Sequence, residues 1–494
     1  MTTEQVEGTR LGGTGTPLKL VDVVAQSVGF MGPVFSIAFL VPLVVGLLSA
    51  TGKGAGAAAP LAILIAGLGV LALAWLVSAY AKRIHAAGAL YDYVTDGLGS
   101  RVGGAAGFVY YLGILSLGSA ILVVLAGTIR DTLELEFGFT GIPFLGWAVI
   151  LVVISAVALF FGVALSTRAQ FILALVSILT VLLFSDYVII QVGGDNSVST
   201  AFSPSSAPEG WGGIAFGIVY AILLFTGFET AANLGEETAE PKRDIPRAVI
   251  MSVIVVGAFY LIASYAQVAG YHFDLDAMGA NAGAPLFGLA APVEAGGYGG
   301  VWIARLLELV VILDMLAVLI GCSVAASRGI FAMARDERFP GFLGRVSKRG
   351  TPWNAGILVL VAFAVFIAVT EWAPDLFAIE GFPHYFAMFS IGSAFGGLGL
   401  AVIYFLLCLG ALRGLRDHER YGTVVVSSVV GMIVTAAAIF GAVYKVGAPT
   451  IYAAYAVAIV FIVGLILAFV VKGKAPITTT YSELKASEQG PMKL

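Results

Sequence analysis

The sequence predicts an all-helical polytopic membrane protein of twelve transmembrane helices. Three observations carry that reading. Of 494 residues, 59% are hydrophobic and 11% charged, with mean hydropathy +0.99, whereas a soluble domain is about a quarter charged. Apolar runs of about 20 residues, the length a bilayer core demands, recur along the chain. Lys and Arg gather between alternate runs.

The twelve runs are 20–48, 60–80, 103–127, 144–163, 170–190, 211–234, 248–269, 301–324, 353–370, 385–409, 424–444 and 451–471. Barrel strands are only about 10 residues long and alternate in polarity, so these runs read as helices. With the N-terminus placed in the cytoplasm, 22 of the 26 Lys and Arg fall on the inner side. Only Lys53, Arg130, Arg305 and Lys445 fall outside. That bias orients the chain in a plasma (inner) membrane with both termini cytoplasmic. A net charge of −4 argues against a nucleic-acid partner. Cys322 and Cys408 both sit in apolar runs and read as small buried hydrophobes. No Walker A, paired CxxC, HExxH or nucleophile-elbow motif occurs in a soluble region, so neither an enzyme nor a cofactor is expected.

Two runs contain a helix break. The first holds "SVGFMGPVF", 27–35, in which Pro33 lacks an N–H and Gly29 and Gly32 loosen the backbone. The sixth holds "FTGFET", 225–230, with Gly227 as its weak point. Unpaired backbone is not tolerated against lipid, so both breaks must face protein or a water-filled cavity. The two runs lie five apart, an odd number, so a second five-helix unit starts on the opposite face of the membrane. Matched breaks in inverted repeats point to a secondary-transporter site. The expected organisation is a tail at 1–19, one repeat at 20–192, its inverted partner at 211–409, two further helices at 420–472 and a tail at 473–494.

Two acids lie deep in the runs, Glu229 beside the second break and Asp314 in the eighth run. An ionisable group inside the membrane is a functional candidate by default. Glu229 is read either as a coupling or gating carboxylate or as a carboxyl bonded to freed carbonyls. Asp314 is read either as a partner for a substrate cation or coupling ion, or as an interhelical hydrogen bond. Arg305 and Glu308 are spaced to pair at i, i+3. His85, His272 and His418 are expected in solvent, and His384 borders the tenth run.

Three segments carry a family likeness: "FTGFETAANLGEETAEPKRDIPRAV" (225–249), "AASRGIFAMARDERFP" (325–340) and "RIHAAGALYDYVTDGLG" (83–99). On these the chain resembles the amino acid–polyamine–organocation (APC) superfamily of permeases. The segments also have a structural reading. Arg335 and Asp336 are expected on a short cytoplasmic helix stopped by Pro340, and Asp244 with Pro246 at the start of the seventh helix.

The resemblance implies the leucine-transporter fold, two inverted five-helix repeats plus two helices, and substrates among amino acids, polyamines and related organic cations. It implies a binding site at Val28, Gly29, Phe30, Met31 and Gly32 of the first run and Phe225, Thr226, Gly227 and Glu229 of the sixth. Gly113, Ile114 and Gly118 of the third run and Val318 and Cys322 of the eighth would face it, with Phe30 and Phe225 as gates. Two departures stand out. Where the family commonly reads G-S-G, this chain has Met31-Gly32-Pro33, and the proline removes a donor at the carboxylate end. Where proton-linked relatives carry a lysine in the fifth run, the aligned residue is Ser177, so the coupling ion is H⁺ or Na⁺, with Ser177 and Ser323 as a possible Na⁺ site. The function expected is secondary active transport of amino acids or related amines by alternating access. The alternatives are an amine- or polyamine-selective carrier without carboxylate recognition, and a ligand sensor that does not transport.

Overall fold

The computed structural model describes residues 11, 17–48, 53–161, 163–347, 349–379 and 383–470. Most of the expected N-terminal tail, the whole C-terminal tail and Lys348 lie outside the described residues. Within them the chain is helical, and its two β-bridges are isolated pairs.

Among the described residues, eleven helices are long and apolar enough to cross a membrane. The fourth apolar run forms a shorter helix of 17 residues. The first run is split into α1 (Leu20–Met31) and α2 (Pro33–Phe39). There follow α3 (Ala59–Ala81), the short α4 (Leu90–Leu98), α5 (Ser100–Phe137), α6 (Phe144–Phe160) and α7 (Val163–Val192). The sixth run opens as α8 (Trp211–Ala221). Then come α9 (Pro241–Gly270), α10 (Val301–Arg335), α11 (Trp353–Trp372), α12 (His384–Gly414), α13 (Tyr421–Val443) and α14 (Ile451–Val470).

Burial ranks these helices. The apolar stretches of α1–α2 and α10 are each 78% buried inside the protein, while that of α14 is 22% buried. An interior helix lined by small residues packs closely without help from lipid. Gly321 of α10 illustrates this, because a β-carbon there would lie 3.1 Å from the Phe30 Cα of α1. The broken first run is enclosed by α7, α9 and α10, and α12 lies along α5.

Several expectations are corrected. Arg305 does not pair with Glu308; its Nε reaches Glu136 at the end of α5 at 2.7 Å. No separate helix carries Arg335 and Asp336, because α10 runs unbroken to Arg335 and ends before Pro340. The seventh helix begins at Pro241 with Glu240 as its N-cap, which puts Asp244 in the first turn and Pro246 inside the helix. Pro246 is the sixth residue of that helix, past its first turn, where Asp244 N–H already donates to Glu240 O at 2.8 Å, so the proline cannot give the Lys242 carbonyl its i+4 bond. His85 is buried, whereas His272 and His418 are exposed.

Candidate functional site

The first break is centred on Gly32, whose φ of +54° and ψ of +66° end α1 in the left-handed region and start α2. That conformation favours glycine, and a β-carbon there would meet Val318 Cγ2 at 2.4 Å. A helix start leaves its first N–H groups without intrahelical partners. Here they can be accounted for one by one. Pro33 has none. Val34 and Phe35 donate to Asp314 Oδ2 at 3.0 and 2.8 Å. Ser36 N–H donates to the Gly32 carbonyl at 2.8 Å. A carboxylate 280 residues away thus caps α2, and its other oxygen, Oδ1, is buried without a partner. Asp314 thus makes interhelical hydrogen bonds through one oxygen, and its second oxygen makes none.

The second break begins where α8 tightens into a 3₁₀ turn, Ile222–Phe225, and opens at Thr226. Gly227 has φ +104°. Side chains take up the freed groups. Tyr260 donates to the Leu224 carbonyl at 2.6 Å. Ser27 of α1 donates to Phe228 O at 2.7 Å and accepts from Ala231 N–H at 3.0 Å, which ties the two breaks together. Thr230 donates to Gly227 O at 2.8 Å. Glu229 does not bond to freed carbonyls. Tyr110 of α5 donates to Glu229 Oε1 at 3.1 Å, and Tyr404 of α12 donates to Oε2 at 2.5 Å. Glu229 and both tyrosines are buried, so the carboxyl is clamped between two phenols in the interior.

Phe30 covers the second break. A β-carbon on Gly227 would lie 2.0 Å from Phe30 Cδ1. Gly227→Ala is therefore expected to lose transport and to melt several degrees lower. The left-handed backbone alone costs about 1–2 kcal/mol for a non-glycine residue. Adding Phe30→Ala relieves the overlap but not the backbone strain, so only part of the stability should return. Wild-type uptake by Gly227→Ala would show that the break does not hold this shape during the cycle.

The remaining expected residues divide. Val28, Met31, Ile114, Val318 and Cys322 are buried with Phe30 in one core. Gly29 lies against Gln170 of α7, whose amide donates to Gln26 Oε1 at 3.2 Å. Gly113 and Gly118 sit where helices touch: a β-carbon at Gly113 would meet Gly396 of α12, and one at Gly118 would meet Cys322 of α10. Phe225 is seated against Gly67 of α3 and Gly257 of α9, edge-on to Tyr260. Ser177 donates to Val310 O at 2.8 Å and Ser323 to Leu319 O at 2.7 Å. No cluster of three or more His, Cys, Asp or Glu that could hold a metal occurs among the described residues. Sequence reasoning missed Ser27, Tyr110, Tyr260, Tyr404 and Gln170. The signal available was polarity itself, since a phenol or amide in an apolar run needs a partner.

Beyond the breaks, at the end of the bundle rich in Lys and Arg, charged side chains are buried together. Arg328 of α10 forms a two-pronged pair with Glu237, Nε to Oε2 at 2.6 Å and Nη2 to Oε1 at 3.1 Å. Leu18 N–H donates to Glu237 O and Ala239 N–H to Leu18 O, so the approach to α1 is fastened to the same connection. Arg335 reaches Glu236 at 2.8 Å, and Glu236 accepts from Ala87 N–H at 3.0 Å. Tyr91 of α4 donates to Asp336 Oδ2 at 3.1 Å. Three connections, those after α3, after the second break and after α10, thereby close over the site from that end.

The comparisons with known proteins agree with this geometry. The family model described as "Amino acid permease" matches residues 28–481. The branched-chain amino acid permease BcaP of Bacillus subtilis is 26% identical over 336 residues, 63% of this chain and 68% of the relative. The vacuolar cationic amino acid transporter 4 of Arabidopsis thaliana is 25% identical over 79% of this chain and 63% of its own length. The L-lysine transport protein of Corynebacterium glutamicum is 26% identical over 62% and 60%. For these last two the match spans under two thirds of the relative. Among solved structures, the Eremococcus coleocola manganese transporter shares the fold, with TM-score 0.53 over 90% of this chain and 94% of its own, at 13% identity. With two broken helices facing each other in a bundle of this topology and a family match over nearly its whole length, the chain belongs to the amino acid permease family, multi-pass secondary transporters of the leucine-transporter fold.

Proposed function

We propose that this permease moves amino acids or related organic amines by alternating access across the plasma (inner) membrane, and that it recognises the substrate ammonium first. The observation that carries this reading is Asp314. In the site implied by the family resemblance, the start of α2 offers N–H groups to a substrate carboxylate. Here Pro33 lacks one, and Val34 and Phe35 already serve Asp314 Oδ2. The unpartnered Oδ1 adds an acceptor. A carboxylate with a spare acceptor beside a break suits a cation better than an anion. Two relatives bear names for cationic amino acids or lysine, which agrees with that preference.

The charge bias puts the Lys- and Arg-rich end in the cytoplasm with both termini. The halves are 20–192 and 211–409, related by inversion, with 420–472 outside the repeat. Substrate sits between the Gly32 and Gly227 breaks, and Glu229, held by Tyr110 and Tyr404, joins the two halves across it. The coupling ion is H⁺ or Na⁺. The same observation favours one second reading, a carrier of decarboxylated amines.

Uptake into proteoliposomes tests both. The panel is labelled neutral, cationic and acidic amino acids with putrescine and ethanolamine, each under an imposed pH gradient and an imposed Na⁺ gradient. Cationic substrates should be taken up best and acidic ones least. Asp314→Asn keeps a capping oxygen but drops the charge, so uptake of cations should fall about tenfold, the equivalent of about 1.4 kcal/mol. Uptake of putrescine or ethanolamine without any α-amino acid selects the second reading. Uptake of neutral amino acids alone, unchanged in Asp314→Asn, overturns ammonium-led recognition. Saturable binding with no uptake overturns transport and leaves a sensor.

A further inference from the structure

The cytoplasmic closure holds one acid that none of the contacts above uses. Asp92 lies in α4, on the connection between α3 and α5, and is 2% exposed. Its Oδ2 is buried with no hydrogen-bond partner. The carboxyl lies against the Gly88 backbone, where a β-carbon would come within 2.5 Å of Oδ2. The charged groups acting on it come from separate elements: Asp336 and Arg335 from the end of α10, and Glu236 from the connection after the second break. Tyr91 and Tyr93 of its own helix and Tyr111 of α5 face it as well. On α4, Asp96 is engaged elsewhere, by Arg83 at 3.6 Å. From α12, which also packs on α4, the approach is made by the backbone of Gly410 and Gly414. His85 is buried in the same connection. Arg338 lies near Tyr91 and Asp336 and donates to Ser100 O.

Charge bookkeeping then points one way. Among the described residues that act on Asp92, the carboxylates of Asp336 and Glu236 oppose its ionisation and the Arg335 guanidinium favours it. Glu236 has Arg335, and Asp336 has the Tyr91 hydroxyl. The Asp92 carboxyl has a backbone hydrogen bond from Gly88 and the attraction of Arg335, but its Oδ2 has no hydrogen-bond partner, and a buried carboxylate so weakly compensated takes up a proton rather than stay ionised. Burial first, then Asp336, holds the Asp92 carboxyl well above the usual carboxylate range. Burial likewise lifts Asp336, to about 6, against the pull of Arg335.

We propose that Asp92 is a proton-binding site of the closed cytoplasmic gate, filled while the connections after α3, after the second break and after α10 are packed together and emptied into the cytoplasm when they part. The site rests on the proposed orientation and on alternating access, and it does not depend on which substrate is carried. The sign follows from linkage. Parting the gate hydrates Asp92 and returns it to the ordinary aspartate range near 4. The closed state is then favoured in full below that value and loses the contribution as pH rises through the raised value. Acid in the cytoplasm holds the gate shut, and alkali frees it.

Hydrogen–deuterium exchange on the full chain, without substrate, reads gate opening directly. Exchange is followed in 83–99 and 235–240 at about pH 5 and about pH 8, corrected for the intrinsic rate, which spans the shift from an ordinary aspartate. In the wild type, protection of both segments should fall by about tenfold or more at the higher pH, the effect of at least one pK unit. Asp92→Asn, a permanent stand-in for the protonated acid, should lose most of that dependence and keep only the part due to Asp336, whose carboxyl is raised to about 6; Asp92→Asn with Asp336→Asn should stay protected at both. Asp336→Asn removes the like charge that acts on Asp92 most and should move the transition to lower pH without abolishing it. Unchanged protection in α3 and α10 confirms that each variant is folded. No pH dependence in the wild type, or full pH dependence in Asp92→Asn, overturns the proposal. So does a dependence that vanishes in His85→Gln while Asp92→Asn keeps it. Because nothing is transported in this assay, a failure here is separate from a failure of the uptake panel.

Discussion

Asp314→Ala is expected to unfold the first break and end transport, and the loss should be far larger than that of Asp314→Asn. Alanine leaves the N–H groups of Val34 and Phe35 buried with no acceptor. Each such orphan costs about 1–3 kcal/mol, and Asp314, Val34 and Phe35 are all buried. Asparagine can place its carbonyl oxygen where Asp314 Oδ2 now accepts both donors, so it should keep most of the stability while losing the charge. Melting of the two variants in detergent, beside the wild type, separates the roles. A large drop for alanine with a small one for asparagine assigns capping to Oδ2 and leaves any loss of cation uptake in asparagine to the charge. Alanine that melts like wild type would show that Val34 and Phe35 find partners elsewhere, and the account of α2 would fail.

Breaking the Arg328–Glu237 pair is the second large effect expected. Arg328 is 1% exposed and Glu237 7%. Removing one partner of a buried pair strands a charge and costs about 3–5 kcal/mol. Arg328→Ala and Glu237→Ala should each destabilise the protein by that order. Arg328→Leu with Glu237→Leu should recover most of the loss, because an apolar pair strands no charge. Transport should not recover with it. The pair closes the end of the bundle that has to open, and an apolar plug resists the hydration that opening requires. A double variant as unstable as the sum of the singles would show that the two side chains do not act as a pair. A double variant with wild-type uptake would show that this closure does not part during the cycle.

Much of the scaffold could be read along the chain, because the cues are local. The first break follows from Pro33, which has no N–H, and Gly32, which takes up a left-handed turn. The second follows from Gly227. The limits of the spans were less legible. Sequence reasoning ended the eighth span near 324, but the helix continues to Arg335, because Arg328 and Arg335 find buried carboxylates that pay for their charge. His85 was misplaced in solvent for a similar reason. Its connection reads as a polar loop, and the fold buries it beside Gly235 of the connection after the second break.

What each polar residue does was decided across long separations. Asp314 meets Val34 and Phe35, and Glu229 meets Tyr110 and Tyr404, over 119 to 280 residues. No periodicity encodes such pairings. By itself the sequence determined that the chain spans a membrane, which face bears the positive charge, and where two of its helices cannot stay whole. Those follow from transfer into lipid and from backbone valence, which each residue carries alone. Which carboxylate would cap a broken helix, which phenols would clamp Glu229 and which acid would keep an oxygen without a hydrogen-bond partner were settled only when the helices packed. Satisfying a buried polar group takes two residues, and only the fold chooses the second.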